Sequence, residues 1–388
     1  MPSVKVGGVG LTPFGEHPDR TTRDLFADAG VQAMNDAGVP ATAVDGVYFG
    51  NFVGELGDDQ GHHGPVVAES LGVSAPATRF ESACASSGVA VRHAVRAIEH
   101  GSADVVVVGG AERMTHVSTG SATAMLATAA DALHEGSAGM TFPGAYALMA
   151  DAYLQTYGGS RRDFAHVAVK NHAHAVENEH AQFQFEVSVD EVLDAPMVAE
   201  PLGLLDACPV TDGASALVLV SDRYAREQGL EAAVALTGSG QGTDRLALQD
   251  RERLCRTPAT ERAADEAYRD AGIGPADVDL VEVHDCFTCA EVLALEALGL
   301  YEPGTAITAA REGETWRDGA LPVNCSGGLK AKGHPVGATG ASQIVEMTRL
   351  LRGDHPNSDY VSDATTGVAH SAGGTVASTT VHVMERVA

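Results

Sequence analysis

One of the six cysteines scattered through the 388 residues, Cys84, sits where a nucleophile would be useful. Its neighbours from Ser82 to Gly88 are all small, and an amphipathic stretch, Val89 to His100, follows and reads as a helix. A thiol at a helix start feels the positive end of the dipole, which favours the thiolate. Small neighbours leave room for a substrate. A buried packing cysteine would fit the same pattern, so the assignment needs partners from elsewhere in the chain.

Three segments supply candidates. In Val281-Glu282-Val283-His284-Asp285-Cys286-Phe287 an apolar strand delivers His284 and Cys286 into the loop before a helix, Ala290 to Leu298. That strand edge is where α/β folds place reactive groups. In Asn324 to Gly340, dense glycines permit tight backbone turns. There His334 is held stiffly between Gly333 and Pro335, suited to act as acid, base or oxyanion donor. Lys330 and Lys332 beside it could meet phosphate or face solvent. In Gly367 to Val376, a Gly373-Gly374 turn beside His370 could offer amides to an oxyanion, or be a hairpin with an incidental histidine. The single Cys286-x-x-Cys289 pair has no companion at zinc-finger spacing, so no metal is expected.

Helix-like and strand-like stretches alternate throughout, which makes the chain α/β. Asp36-Ala37-Gly38 followed by Val44-Asp45 recurs without a gap as Asp270-Ala271-Gly272 followed by Val278-Asp279. Each copy reads as a helix closed by a glycine cap and then a strand. Two pseudo-repeated halves with a site between them would follow. The expected division is 1–118 with 206–235 as the N-terminal half, 119–205 as an inserted cap and 236–388 as the C-terminal half. Gly109 to Glu112 reads as a turn after a strand, Asp104 to Val108, and Gly120 to Ala124 and Gly136 to Met140 read as mobile insert.

The 52 acidic residues against 25 basic ones give a net charge of -27, and lysine occurs only at Lys5, Lys170, Lys330 and Lys332. Scarce lysine and abundant carboxylates fit a surface adapted to high salt. A nucleic-acid partner is disfavoured, because no basic stripe is available. No apolar run reaches 18 residues and no leader pattern opens the chain, so a cytoplasmic protein without a membrane span is expected.

Together these segments resemble the thiolase superfamily over nearly the whole length. Gly333-His334-Pro335-Val336-Gly337-Ala338-Thr339-Gly340 is similar to the family's G-H-P-x-G-x-[ST]-G motif, and the Cys84 segment to its nucleophile loop. Asp206 to Val220 resembles the family's return from its inserted loop domain. The His284-Asp285-Cys286-Phe287 form is similar to the sterol-carrier-protein-x type and its archaeal relatives. The resemblance implies a five-layered αβαβα core of two halves with an inserted loop domain. It implies an acyl-enzyme on Cys84, assisted by His334, with oxyanions held by amides of Cys84, Ala372 and Gly373. His284 would polarise the second thioester. Where the family usually has a C-terminal Cys-x-Gly this chain has His370-Ser371-Ala372, so Cys286 and His370 are both candidates for the second acid/base.

The implied reaction joins two acetyl-CoA into acetoacetyl-CoA, or runs in reverse as thiolysis, with coenzyme A thioesters as substrates and no cofactor. Arg161, Arg162, Lys170, Lys330 and Lys332 are the candidates for contact with the coenzyme. The resemblance further implies a homodimer or tetramer, and for the archaeal type an OB-fold/zinc-ribbon partner and 3-hydroxy-3-methylglutaryl-CoA synthase. The alternatives are another Claisen condensing enzyme, of the ketoacyl synthase or 3-hydroxy-3-methylglutaryl-CoA synthase type, and a non-catalytic acyl-CoA-binding scaffold.

Overall fold

The computed structural model describes residues 4–387. Its strands are β1 (Val4–Leu11), β2 (Gly46–Gly50), β3 (Ala77–Phe80), β4 (Val105–Glu112), β5 (Met197–Ala199), β6 (Leu202–Gly203), β7 (Gly213–Ser221), β8 (Val234–Thr243), β9 (Leu280–Glu282), β10 (Thr366–Gly373) and β11 (Ser378–Arg386). Nine of them form one ladder in the order β3-β2-β4-β7-β1-β8-β11-β10-β9. β1 and β8 meet antiparallel at its centre, Val4 opposite Leu236.

Outward from that junction the two halves repeat. On one side β1–β7 and β7–β4 are antiparallel, then β4–β2 and β2–β3 parallel. On the other, β8–β11 and β11–β10 are antiparallel, β10–β9 is parallel, and a parallel bridge from Val281 to Val323 takes the place of the last strand. The repeated sequence falls at matching places: helix Thr22–Ala37 leads to β2 and helix Pro258–Ala271 to β9, each closed by a left-handed glycine, Gly38 or Gly272.

The apolar run Val105–Val108 is buried on both sides, as a continuous hydrophobic strand requires. Val105 and Val107 pack with Leu25, Phe26 and Ala29 of the outer helix. Val106 and Val108 face inward onto Val91 and Val95 of helix Ser86–Glu99 and Ile344 and Leu351 of helix Thr339–Arg352. The same inner core takes Leu236, Ala369 and Met384 from the other half. Outside that half, Ala263, Ala264 and Ala267 pack on Val381 and Val383. The layers are therefore helix, sheet, central helix pair, sheet, helix. Between β4 and β7 the chain forms helices Thr119–Ala127, Phe142–Tyr157, Arg161–Ala175 and Val189–Asp194 and the β5–β6 hairpin. No helix among the described residues is long and apolar enough to cross a membrane.

Several local expectations change. Gly109 to Glu112 is not a turn but the end of β4, because a side chain on Gly109 or Gly110 would strike the Ser215 or Gly337 carbonyl. These glycines permit close packing, not chain reversal. Gly120 to Ala124, read as mobile insert, is helical. The helix after Cys84 begins at Ser86, three residues earlier than the amphipathic pattern indicates, and the helix after Cys286 spans Thr288–Ala297.

The two central helices touch at their first turns. A Cβ on Gly340 would stand 2.5 Å from Gly88 N and 2.8 Å from its Cα, and the Ala341 amide donates to Ser87 Oγ at 3.0 Å. Gly340→Ala is expected to lower stability by about 1–3 kcal/mol through overpacking, read from the denaturant midpoint. Because it also separates the loops leading into both helices, turnover should fall further than the lost folded fraction explains.

Candidate active site

Cys84 lies in the short turn Ala83–Ala85 that runs into helix Ser86–Glu99. Ala83 adopts a positive φ of 49°, and hydrogen bonds hold it there. Its amide donates to Glu81 Oε1 at 2.7 Å, and its carbonyl accepts from Ser86 Oγ at 2.6 Å. The Ser371 hydroxyl donates to the Cys84 carbonyl at 3.2 Å. The Gly374 amide is directed at the thiol, as is the amide of Cys84 itself.

His334 faces Cys84 from the loop before the second central helix. Thr339 Oγ1 donates to the Pro335 carbonyl at 3.0 Å, so it must accept from His334 Nδ1, 2.7 Å away. The ring proton is thus held on Nδ1, leaving Nε2 with a free lone pair. His284 stands perpendicular to it, ring centroids 5.0 Å apart. Cys84 Sγ and one nitrogen from each ring lie within 4.8 Å of one another. The same three atoms are the set among the described residues that could hold a soft metal ion. Both His284 ring nitrogens are buried without a protein partner. Leaving them so costs about 1–3 kcal/mol each, which a substrate oxygen could recover.

Burial sets the resting charges. It pushes the Cys84 thiol up to about 12, past what the two amides offset, with Glu112 raising it further. The helix start does not make a standing thiolate, which corrects the expectation above. Burial also lowers His334 to about 3, and it lowers His284 well below the ordinary histidine value, with His334 and His370 adding to the effect. The resting pair is a neutral thiol beside a neutral imidazole.

A cavity of about 170 Å³ opens onto this pair and is lined also by Cys208, Cys286, Tyr146 and Phe287. Burial raises the Cys286 thiol well above its usual range, and the Tyr146 hydroxyl against it pulls the other way. Tyr146 stacks on Phe287 at 4.8 Å.

The remaining candidates lie elsewhere. His370 sits within β10, 1% exposed, with Nδ1 accepting from the His284 amide at 3.3 Å and Nε2 against Thr260 Oγ1 at 3.1 Å. Both nitrogens are engaged away from the cavity, so it is not a free acid or base. Ala372 and Gly373 are strand residues, and the turn amide on Cys84 belongs to Gly374 instead. Lys170, Lys330 and Lys332 are buried against Glu291, His172 and Glu346, at 3.1, 3.2 and 3.6 Å. They join the cap helix and the glycine-rich loop to the C-terminal half and cannot meet a phosphate. Arg161 donates to the Val192 and Leu193 carbonyls at 2.9 Å, and Arg162, more than half exposed, pairs with Asp190.

Residues 4–223 match the thiolase N-terminal domain model and residues 240–386 the thiolase C-terminal domain-like model. The chain belongs to the thiolase family. It is 42% identical to the acetyl-CoA acetyltransferase of Methanothermobacter thermautotrophicus across the full length of both. It is 33% identical to rat (Rattus norvegicus) sterol carrier protein 2, over 91% of this chain and 67% of that one. Among solved structures it resembles the Ltp2-ChsH2(DUF35) aldolase, with a TM-score of 0.84 and 25% identity over 99% of this chain and 98% of the other. This chain is a thiolase, an acyltransferase acting on acyl-CoA.

The thiolase site holds groups that the sequence did not single out. Cys208, whose backbone amide donates to the Cys286 carbonyl at 2.9 Å, lines the cavity. Glu112 accepts from the amides of Phe52, Val53 and Gly337 at 2.9, 3.0 and 2.8 Å, tying the His334 loop to β4. Asp285 does the same for the glycine-rich loop, accepting from the Leu329 amide at 2.7 Å and Asn171 Nδ2 at 2.6 Å.

The raised thiol predicts how Cys84 meets iodoacetamide. The thiolate is the reactive form, so alkylation in the free enzyme should be slow at neutral pH and still rising at about pH 10. A plateau reached below pH 7 would mean a standing thiolate.

Proposed function

We propose that this thiolase condenses two acetyl-CoA reversibly to acetoacetyl-CoA and coenzyme A through an acyl-enzyme on Cys84. The observation that carries this reading is the convergence of Cys84 Sγ with the nitrogens of His334 and His284 within 4.8 Å. In the first half-reaction Cys84 Sγ attacks the thioester carbon while its proton passes to His334 Nε2. The oxyanion is stabilised by the amides of Cys84 and Gly374. As it collapses, the carbon–sulfur bond to coenzyme A breaks and the departing thiolate takes the proton of Cys286. The His334 imidazolium formed in the first step offsets the charge left on Cys286.

In the second half-reaction the oxygen of a new acetyl-CoA meets protonated His334 and His284. Cys286 thiolate removes the α-proton, and the enolate carbon attacks the acyl carbon on Cys84. When the Cys84–acyl bond breaks, His334 returns its proton to Sγ, so every proton is accounted for. Cys286 fits the second acid/base role because it lines the cavity and His370 does not.

The name of the solved neighbour couples it to a DUF35 protein, which supports a partner subunit of that kind here. A homodimer or tetramer, association with 3-hydroxy-3-methylglutaryl-CoA synthase and a role in supplying mevalonate synthesis belong to the same proposal. Co-purification and sizing test the assemblies. The acidic surface supports activity that persists in multimolar salt.

Acetoacetyl-CoA thiolysis tests the reaction, since a decarboxylating synthase would not perform it. Cys286→Ala should lower turnover by about 10²–10⁴-fold, the usual share of a general acid/base. His370→Asn should stay within about tenfold, because it reaches the reaction only through packing. The reverse ranking would return the second acid/base role to His370.

A further inference from the structure

The turn between β10 and β11 holds Gly374, which lines the same cavity as Cys84 and whose amide lies against its thiol. Its backbone is costly. Gly374 has a φ of 63°, and two residues on, the β-branched Val376 has a φ of 65°. A β-branched residue is a rare outlier in the left-handed region, so the surroundings must impose the shape.

Groups from two other parts of the fold do so. Tyr146 Oη, from the cap, donates to the Gly374 carbonyl at 3.0 Å. From the loop after β8, the Asp244 amide donates to the Ala377 carbonyl at 2.8 Å. Arg251, further along that loop, grips the residue between. Its Nη1 donates to the Thr375 carbonyl at 2.6 Å and its Nη2 to Thr375 Oγ1 at 3.0 Å. Its Nε donates to the Arg245 carbonyl at 3.0 Å, which fixes the guanidinium plane. Asp244 and Glu135 act on its charge only through space. A largely buried guanidinium that spends its fork on one turn is well suited to holding that turn in place.

We propose that Arg251 is a positioning residue for acyl transfer, holding the β10–β11 turn so that the Gly374 amide meets the oxyanion formed on Cys84. The proposal rests on the acyl-enzyme reading of the site. Removing a whole oxyanion donor typically costs about 10²–10³-fold in rate, so loosening one should cost less.

The test compares two reactions of Cys84 in the full chain. Acylation by acetyl-CoA passes through an oxyanion, whereas alkylation by iodoacetamide does not. Arg251→Met should slow acylation about 10–100-fold at saturating acetyl-CoA, with alkylation within about twofold. Arg251→Lys should restore part of the rate, and adding Val376→Gly to Arg251→Met should restore more, because glycine takes the positive φ without strain. Parallel loss of both reactions would reduce Arg251 to a general structural role and overturn the proposal. Unchanged acylation would overturn it too, as would an unchanged limiting rate reached at higher acetyl-CoA, which would make Arg251 a coenzyme contact. Should Arg251→Met not fold, Arg251→Lys carries the same comparison. No acylation of wild-type Cys84 would instead count against the acyl-enzyme reading.

Discussion

The Gly88 backbone lies too close to Gly340 for the second central helix to carry a side chain at the crossing. That contact is buried between the two halves of the long ladder, and both catalytic loops hang from it. Cys84 stands four residues before Gly88, and His334 six before Gly340. The separation of nucleophile and base is therefore set by how closely two helices from different halves approach. The surrounding hydrogen bonds extend this constraint. Ser215 Oγ donates to the Ala338 carbonyl at 2.7 Å, and Glu112 joins the His334 loop to β4.

Around that crossing the site is electrically quiet. Its histidines are neutral, its thiols protonated, and the nearest carboxylates are occupied by backbone amides. An acyl transfer creates charge only in passing, and a neutral resting pair carries no standing ions to desolvate. The charges of the region are kept one layer back, in buried pairs such as Lys170 with Glu291 and Lys332 with Glu346. Such pairs contribute little net stability but resist removal of one partner, which suits groups that join the cap to the catalytic loops.

Much of this could be read from sequence, for identifiable reasons. Cys84 and His334 are flanked by small and stiff residues whose types declare a close-packed loop, and the repeat around Asp36 and Asp270 fixed two similar halves. What failed depended on distant partners or on which face a residue turns. Lys170 looks like a free cation until Glu291, 121 residues away, is brought against it. His370 lies two residues before Ala372 on a strand whose neighbours are known only once the loop after β9 and helix Pro258–Ala271 are placed, and these take both its nitrogens. The amide facing Cys84 fell just beyond the expected pair because β10 runs through Gly373. Gly109 and Gly110 read as a turn because glycine marks reversal and close packing alike.

Everything in the site turns on Cys84 taking the acyl group with His334 as its base. Peptide mass analysis after exposure to acetyl-CoA without further acceptor tests it most directly. One acetyl group per chain is expected on Cys84, and little or none over the same interval in His334→Ala. Acetyl found instead on Cys208 or Cys286, or label that survives Cys84→Ala at the wild-type rate, would contradict it.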